Sequence, residues 1–323
     1  MIASKLHHVT AKRPCPVCDK PDWCSVSANG EVVICMRVEQ GAHKPSKNGG
    51  WVHLQADPTR PSRGYTAPLR IIAPASRRHV VYTALLERLP LIPRHWTHLQ
   101  EARLLSEDTI TRCQFATVPA RRQGDEIATE LSREYDLTNV PGFFWKENKP
   151  RLRFAGVPGF FIPIRDHEGM VSALQIRRDS ADADPRYLLV SSADLTGGAS
   201  SGAPPHFARP WQVRDALLIT EGALKAEVIA EDLQRPVCGL VAVGTFDQRF
   251  GWKLRDKFPR LRRAGIAYDM EDNEATARQK ERLIKTLKEA GLEVEVFEGP
   301  AEEGKGLDDF LIAKKRAAMS RNY

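Results

Sequence analysis

The chain has 323 residues, 42% of them hydrophobic, which is enough to bury a core and predicts two or three domains rather than a disordered protein. Its formal net charge of +7 favours a polyanionic partner such as nucleic acid, because a basic surface attracts phosphates and releases their counterions. No stretch approaches the roughly 20 apolar residues of a membrane helix, and residues 1–13 lack the apolar core of a signal peptide. We therefore expect a cytoplasmic protein without membrane contact.

Four of the six cysteines lie near the start of the chain. They are Cys15, Cys18, Cys24 and Cys35. In a reducing compartment, cysteines clustered in this way indicate a metal site rather than disulfides. A segment this short has little core of its own in which to bury four thiols. Residues 1–56 are therefore predicted to form a small β-structured zinc ribbon.

The spacing of the cysteines suggests how they meet. Asn29 and Gly30 are a strong signal for a two-residue hairpin turn. Counting outward from that turn places Cys24 opposite Cys35, with Cβ atoms about 4.5–5.5 Å apart. Together with the knuckle formed by Cys15 and Cys18, this predicts a tetrahedral Zn²⁺ site with Zn–S distances of about 2.3 Å. His43 and His53 remain alternatives to Cys24 as the fourth ligand.

The next part of the chain is predicted to be a linker followed by short helices. Residues 57–78 are rich in Pro, Arg, Ser and Ala and have no sustained hydrophobic period. From Val80 onward, apolar residues spaced from Leu85 to Ile110 predict short helices, and Ser106 followed by Glu107 and Asp108 is typical of a helix start. A β-rich piece follows, with strands at 159–164, 171–177 and 186–192 and a turn at 166–169. We assign 79–212 to one α+β domain.

Strands and helices alternate in residues 213–323. Buried strands are predicted at 216–220, 237–243, 264–268 and 292–297, with helices at 222–233, 248–258 and 273–290. This order predicts a doubly wound α/β domain with a mainly parallel sheet. The chain has no G-x-x-x-x-G-K-[ST] loop, which excludes an ATP-driven motor of that type.

Acidic residues follow three of the predicted strands. They are Glu221 after the first, Asp269, Glu271 and Asp272 after the third, and Asp308 and Asp309 after the fourth. In a parallel sheet the carboxyl ends of the strands meet at one edge, where ligands bind. Carboxylates gathered there repel each other unless a cation compensates them. The pattern therefore predicts a divalent metal site, although Asp308 or Asp309 would also suit a helix start.

These residues carry a family resemblance. The segments LLITEG at 217–222 and AYDME at 267–271 resemble the Toprim domain of bacterial-type primases, topoisomerases and some nucleases. The resemblance implies that Glu221, Asp269 and Glu271 hold Mg²⁺ or Mn²⁺ and act in catalysis, with Asp308 as a further ligand. The family pattern has an aspartate where Glu271 stands, so Asp272 is an alternative.

Two lysines are candidates for phosphate contacts. The segment GKGLDD at 304–309 resembles a G-K-G-x-D-D element found after the last Toprim strand in primase-like proteins of plasmids and prophages. The resemblance implies that the glycines let backbone N–H groups approach phosphate, with Lys305 as a point charge. A surface turn is the alternative. Lys225, one helical turn beyond Glu221, is expected either to contact phosphate or to pair with that glutamate.

The region before the Toprim-like part resembles the amino-terminal half of a primase catalytic core. The likeness lies in FIPIR at 161–165, QIR at 175–177 and RYL at 186–188. It implies that Arg177 and Arg186 contact phosphates of template or nucleotide, and that His206 enters the same basin. Arginine suits this role because its fork of donors matches phosphate oxygens.

Taken together, the resemblance implies a DNA primase of a mobile element or prophage. Such an enzyme makes short RNA primers on single-stranded DNA from ribonucleoside triphosphates by two-metal nucleotidyl transfer. A separate replicative helicase is the expected partner. The alternatives are a Toprim nuclease and a catalytically silent zinc-containing DNA-binding factor of replication.

Overall fold

The structure is a computed structural model. It describes residues 6–11, 14–27, 32–40, 42, 44–46, 49–54, 72–193, 195–241, 245–269, 274–297 and 306–321. Contacts divide the chain into two compact units, Met1–Leu69 and Arg70–Tyr323. Several predicted positions lie outside the described residues: Asn29, Gly30, His43, Glu271, Asp272 and Lys305.

The first unit is a small antiparallel sheet. Its strands are β1 (Leu6–His8), β2 (Ser25–Ser27), β3 (Val32–Cys35), β4 (Lys44–Pro45) and β5 (Trp51–Leu54). They lie in the order β1-β2-β3-β5-β4, and every neighbouring pair is antiparallel. The buried centre consists of Val9 and Val33 with Cys15, Cys24 and Cys35. The predicted β character of this unit is confirmed, and its apolar core is small.

The second unit begins with helices. These are α1 (Ala75–Glu87), α2 (Pro93–Thr97), α3 (Glu107–Cys113) and α4 (Arg121–Glu134), with one π-helical turn, His98–Ala102, after α2. Helix α1 begins at Ala75, before the predicted start at Val80, so it overlaps the end of the predicted linker. Helix α3 begins as predicted, because the Ser106 hydroxyl accepts a hydrogen bond from the Thr109 N–H at 3.3 Å.

The same region contains a four-stranded antiparallel sheet. The strands of this region are β6 (Ala116–Thr117), β7 (Phe143–Lys146), β8 (Lys149–Leu152), β9 (Gly159–Arg165), β10 (Val171–Arg178) and β11 (Tyr187–Leu189). Strands β7 and β8 pair with each other, and the others lie in the order β11-β10-β9-β6. Asp166 closes the predicted β9–β10 turn, because its carboxylate accepts from the N–H groups of Glu168 and Met170 at 2.9 and 3.0 Å.

The remaining chain forms a doubly wound sheet, as predicted. Its elements are β12 (His206–Ala208), β13 (Ala216–Glu221), α5 (Ala223–Leu233), β14 (Val237–Leu240), α6 (Phe250–Lys257), β15 (Arg263–Ala267), α7 (Glu274–Glu289), β16 (Glu293–Val296) and α8 (Leu307–Ser320). The order is β12-β14-β13-β15-β16, with β12 antiparallel to β14 and all other pairs parallel. Helices α5 and α8 pack together, as do α6 and α7. Strand β12 and helix α8 were not predicted.

The antiparallel sheet and the doubly wound sheet share a core. Phe160 and Ile162 of β9 pack in one buried cluster with Leu224 and Val228 of α5. The predicted boundary between residues 212 and 213 therefore lies inside one compact unit. No described helix is both long and apolar enough to cross a membrane.

Candidate functional site

Three of the predicted carboxylates meet at the carboxyl edge of the doubly wound sheet. Glu221 ends β13, and Asp269 follows the adjacent parallel strand β15. The Asp269 N–H donates to Glu221 Oε1 at 2.9 Å. A Cβ added at Gly306 would lie 2.1 Å from Asp269 Oδ1 and 3.0 Å from Asp308 Oδ1. Only a residue without a side chain fits at position 306 while these two carboxylates converge on it.

The turn into α5 positions Glu221 and Lys225 together. Gly222 takes a φ of +84° between the end of β13 and the start of α5, a region that favours glycine. Lys225 then lies one helical turn on, with its Nζ 3.2 Å from Glu221 Oε1 and 3.8 Å from Asp308 Oδ1. The same ammonium contacts both carboxylate oxygens of Asp269. Of the two roles predicted for Lys225, the structure shows the pairing with Glu221. Lys225 also contacts Asp269 and Asp308.

Burial and neighbouring charges shift the pKa values of this site. Burial raises the pKa of Glu221 to about 7, the Asp269 carboxylate adds to the effect, and Lys225 opposes it. Burial also raises the pKa of Asp308. Burial by itself would lower the pKa of Lys225, but the charges of Asp308 and Glu221 raise this pKa and keep the side chain an ammonium.

Two oxygens of the site lack a hydrogen-bond donor. Among the residues that the structure describes, Glu221 Oε2 and Asp308 Oδ1 are buried without a hydrogen-bond partner. Buried polar atoms are normally satisfied, so an orphaned pair of oxygens at one edge of the sheet is available to a ligand. Hard carboxylate oxygens are the ligands that Mg²⁺ and Mn²⁺ prefer, so the donor set fits such an ion.

A basic cluster is built around the ring of Phe160 in β9. The buried Arg177 guanidinium lies 5.7 Å from the ring centroid, and the His98 ring lies 6.2 Å from it. Burial lowers the pKa of Arg177, opposed by its hydrogen bond to Tyr187. Arg186 is exposed just before β11. Arg177 and Arg186, both predicted from the sequence, thus belong to one patch of positive charge.

His98 and Arg103 join this patch and were not predicted. His98 lies in the π-helical turn, a rare conformation that is frequent at functional sites. Burial, followed by the charges of Arg177, Arg103 and Arg186, lowers the pKa of His98 to about 4. Arg103 Nη1 lies 3.3 Å from Asp308 Oδ2, so this side chain connects the basic cluster to the carboxylates. The sequence carries no signal for this contact, because the two residues are far apart along the chain.

His206 does not enter the predicted phosphate-binding basin. It is buried in β12, where Nδ1 accepts from the Arg165 N–H at 3.1 Å and Nε2 lies 3.0 Å from Glu227 Oε1. Because Nδ1 accepts, Nε2 must carry the proton and donate to Glu227. Both ring nitrogens are therefore used inside the protein, which leaves none for a nucleotide.

Glu227 is the centre of this buried network. Its other oxygen lies 2.8 Å from Arg112 Nη2. Burial alone would raise the pKa of Glu227, but His206 and Arg112 lower it to about 2. The ion pair links α5 to α3, and it therefore helps to hold the helix that carries Lys225.

The four amino-terminal cysteines lie together in the first unit. The sulfur atoms of Cys15, Cys18, Cys24 and Cys35 all lie within 4.8 Å of one another. The register of β2 and β3 pairs Ser25 with Ile34, so the residues before and after that pair, Cys24 and Cys35, lie opposite each other, as hairpin counting predicts. Such a group of thiolates fits a tetrahedral zinc ion.

His53, an alternative ligand, is occupied elsewhere. Its Nε2 lies 2.8 Å from the Val38 carbonyl oxygen. Arg37 instead approaches the cysteine group, with Nη1 3.9 Å from Cys18 Sγ and 3.8 Å from Cys24 Sγ. A guanidinium beside thiolates offsets part of their negative charge.

Comparison with models of protein families and with curated proteins returns no match to this chain. Solved structures do match. The zinc-binding and RNA polymerase domains of Aquifex aeolicus primase share 17% identity at a TM-score of 0.59, over 99% of this chain and 78% of that one. The RNA polymerase domain of Mycobacterium tuberculosis primase DnaG shares 13% identity at a TM-score of 0.56, over 76% of this chain and 82% of that one. A DnaG primase catalytic domain bound to ssDNA shares 17% identity at a TM-score of 0.55, over 76% of this chain and 78% of that one. The chain therefore has the fold of a bacterial primase zinc ribbon and catalytic core.

Proposed function

We propose that this protein is a DNA primase that makes short RNA primers on single-stranded DNA by Mg²⁺-dependent nucleotidyl transfer. The observation that carries the proposal is the contact between Arg103 and Asp308, which joins a carboxylate cluster to a basic cluster. Carboxylates suited to metal ions beside arginines suited to phosphates support this proposal, because nucleotidyl transfer needs both. The match to a DnaG catalytic domain bound to ssDNA supports the choice of template.

The carboxylates are assigned to the metal. Glu221, Asp269 and Asp308 would hold Mg²⁺ or Mn²⁺, with Glu271 as a further ligand on the evidence of sequence alone. When bound, the ion would neutralise triphosphate charge and make the primer 3′ hydroxyl more acidic. Lys225 orients Glu221 and Asp269 through its contacts with both.

The arginines are assigned to phosphates. Arg177 is held over Phe160 and by Tyr187, and its Nε lacks a hydrogen-bond partner among the described residues. A guanidinium fixed in this way is suited to a phosphate oxygen, because its fork of donors matches phosphate geometry. Arg186 supplies a second, exposed charge, and Lys305 is a third candidate from the sequence. His206 is assigned to positioning, because its ring is buried and fully paired.

The cysteine cluster is assigned to one structural Zn²⁺. All four sulfurs lie close enough to share an ion, and the apolar core of the first unit is small. A bound metal would therefore supply much of the free energy that folds this unit. Origin in a plasmid or prophage, and a separate helicase partner, belong to the same proposal and rest on the sequence alone.

The test is one assay with three outcomes. The protein is incubated with single-stranded DNA, labelled ribonucleotides and Mg²⁺ or Mn²⁺. New RNA that disappears in Glu221→Gln and Asp269→Asn supports a primase. Cutting of the DNA that depends on the same residues indicates a nuclease, and binding without either product indicates a silent factor. Asp256→Asn, an exposed carboxylate on α6, is the control and is expected to behave as the wild type.

A further inference from the structure

The Lys225 ammonium lies among the carboxylates where a cation would be expected. Its Nζ is 3.2 Å from Glu221 Oε1 and 3.8 Å from Asp308 Oδ1, and it contacts both oxygens of Asp269. The lysine side chain is only 23% exposed, so bulk water does not surround it. An ammonium in this position competes with metal ions for the same oxygens.

Few of the described buried carboxylate oxygens of the site receive no hydrogen bond, and one of them, Asp308 Oδ1, lies 3.8 Å from Lys225 Nζ, beyond hydrogen-bond distance. Within the described part of the site, Glu221 Oε2 and Asp308 Oδ1 are the buried carboxylate oxygens without a hydrogen-bond donor. Asp308 itself is 1% exposed, so water from the surface does not satisfy it. One oxygen from each of two carboxylates is suited to a single ion that completes its coordination with water, as Mg²⁺ usually does.

The site also contains two cations that reduce its negative charge. Its described carboxylates are Glu221, Asp269, Asp308 and the adjacent Asp309, and Lys225 and Arg103 are its cations. The two cations offset part of the negative charge that would otherwise attract metal ions. A second divalent ion about 4 Å from the first would then be repelled without further compensation.

We propose that, in the absence of DNA and nucleotide, the carboxylate cluster binds one divalent cation and that the Lys225 ammonium takes the place of a second. This inference rests on the metal site of the proposed function and specifies its occupancy. Lys225 is then a residue that sets the number of metal ions. Removing its charge vacates the second cation position.

The test counts Mn²⁺ bound to the full-length, zinc-loaded chain. Free Mn²⁺ is measured by electron paramagnetic resonance during titration, without DNA or nucleotide. The wild type is expected to bind one Mn²⁺ that is lost in Glu221→Gln. Lys225→Met is expected to bind two, or one at least tenfold more tightly, whereas Lys225→Arg keeps the charge and the wild-type count. Lys285→Met removes an exposed lysine paired with Glu289 and is the matched control.

Two Mn²⁺ on the wild-type cluster would overturn the inference, and so would an unchanged count and affinity in Lys225→Met. If Lys225→Met does not fold, the wild-type count still decides between one ion and two. The absence of any Mn²⁺ that depends on Glu221 would remove the metal site as well. Primer synthesis is measured separately, so a count of one without RNA product would contradict the proposed function and leave this inference standing.

Discussion

Glu227→Gln tests the buried network that holds α5. Glu227 is 1% exposed and pairs with Arg112 and His206. The fall of its pKa from 4.5 to about 2 corresponds to about 3 kcal/mol, at about 1.4 kcal/mol per unit. Breaking a buried ion pair by removing one charge costs a similar amount. Because Arg112 retains 32% side-chain exposure, we expect a loss of about 2–3 kcal/mol in the free energy of unfolding.

Urea denaturation at several pH values measures this effect. The pKa of Glu227 is lowered in the folded state, so its contribution is complete above pH 4.5 and is lost as the pH falls towards 2. The difference between wild type and variant should therefore be largest near pH 7 and shrink below pH 4.5. Glu130→Gln removes an exposed carboxylate 3.8 Å from Arg88 and should cost less than about 1 kcal/mol. An equal loss in both variants, or no pH dependence, would refute this reasoning.

Three further predictions concern the proposed metal and phosphate sites. Gly306→Ala would bring a Cβ within 2.1 Å of Asp269 Oδ1, so Mn²⁺ affinity, measured by the electron paramagnetic resonance titration, should fall at least about tenfold. An unchanged affinity would contradict a metal site at which Asp269 and Asp308 converge on Gly306. Cys35→Ala should lower the zinc content measured by mass spectrometry from one ion per chain towards none, and full retention would remove Cys35 from the ligand set. Arg177→Met should reduce the slope of log affinity for single-stranded DNA against log salt by about 0.7, measured by fluorescence anisotropy, and an unchanged slope would exclude a phosphate contact.

Local rules were sufficient to predict much of the site. The position of Cys24 opposite Cys35 follows from counting residues outward from a hairpin turn, and the register of β2 and β3 agrees. The meeting of Glu221 with Asp269 follows from the geometry of parallel strands, whose carboxyl ends lie at one edge. Both inferences depend only on secondary structure and its periodicity.

Other features depend on contacts that no local pattern reveals. Arg103 meets Asp308 from a distant part of the chain, so only the tertiary fold brings them together. His206 lies in a strand of three residues, too short to show a period, and its burial follows from pairing with β14.

Helix α4 was missed for a similar reason. It begins after Ala120, which provides no side-chain cap, and it contains Gly124, which disfavours helix. The glycine is needed for packing, because a Cβ there would lie 2.5 Å from the Cβ of Ala155. Helix propensity alone does not predict a glycine that is unfavourable for the helix but is required by packing against a distant residue.

The most direct test of the proposed function is the initial rate of RNA primer synthesis on single-stranded DNA by Glu221→Gln. Loss of a metal ligand removes several kcal/mol of transition-state stabilisation, so we expect the rate to fall by about a hundredfold or more. Glu289→Gln, an exposed glutamate on α7, should stay within about twofold of the wild type. Primer synthesis at the wild-type rate by Glu221→Gln, or no RNA from the wild type with any template, would contradict the account.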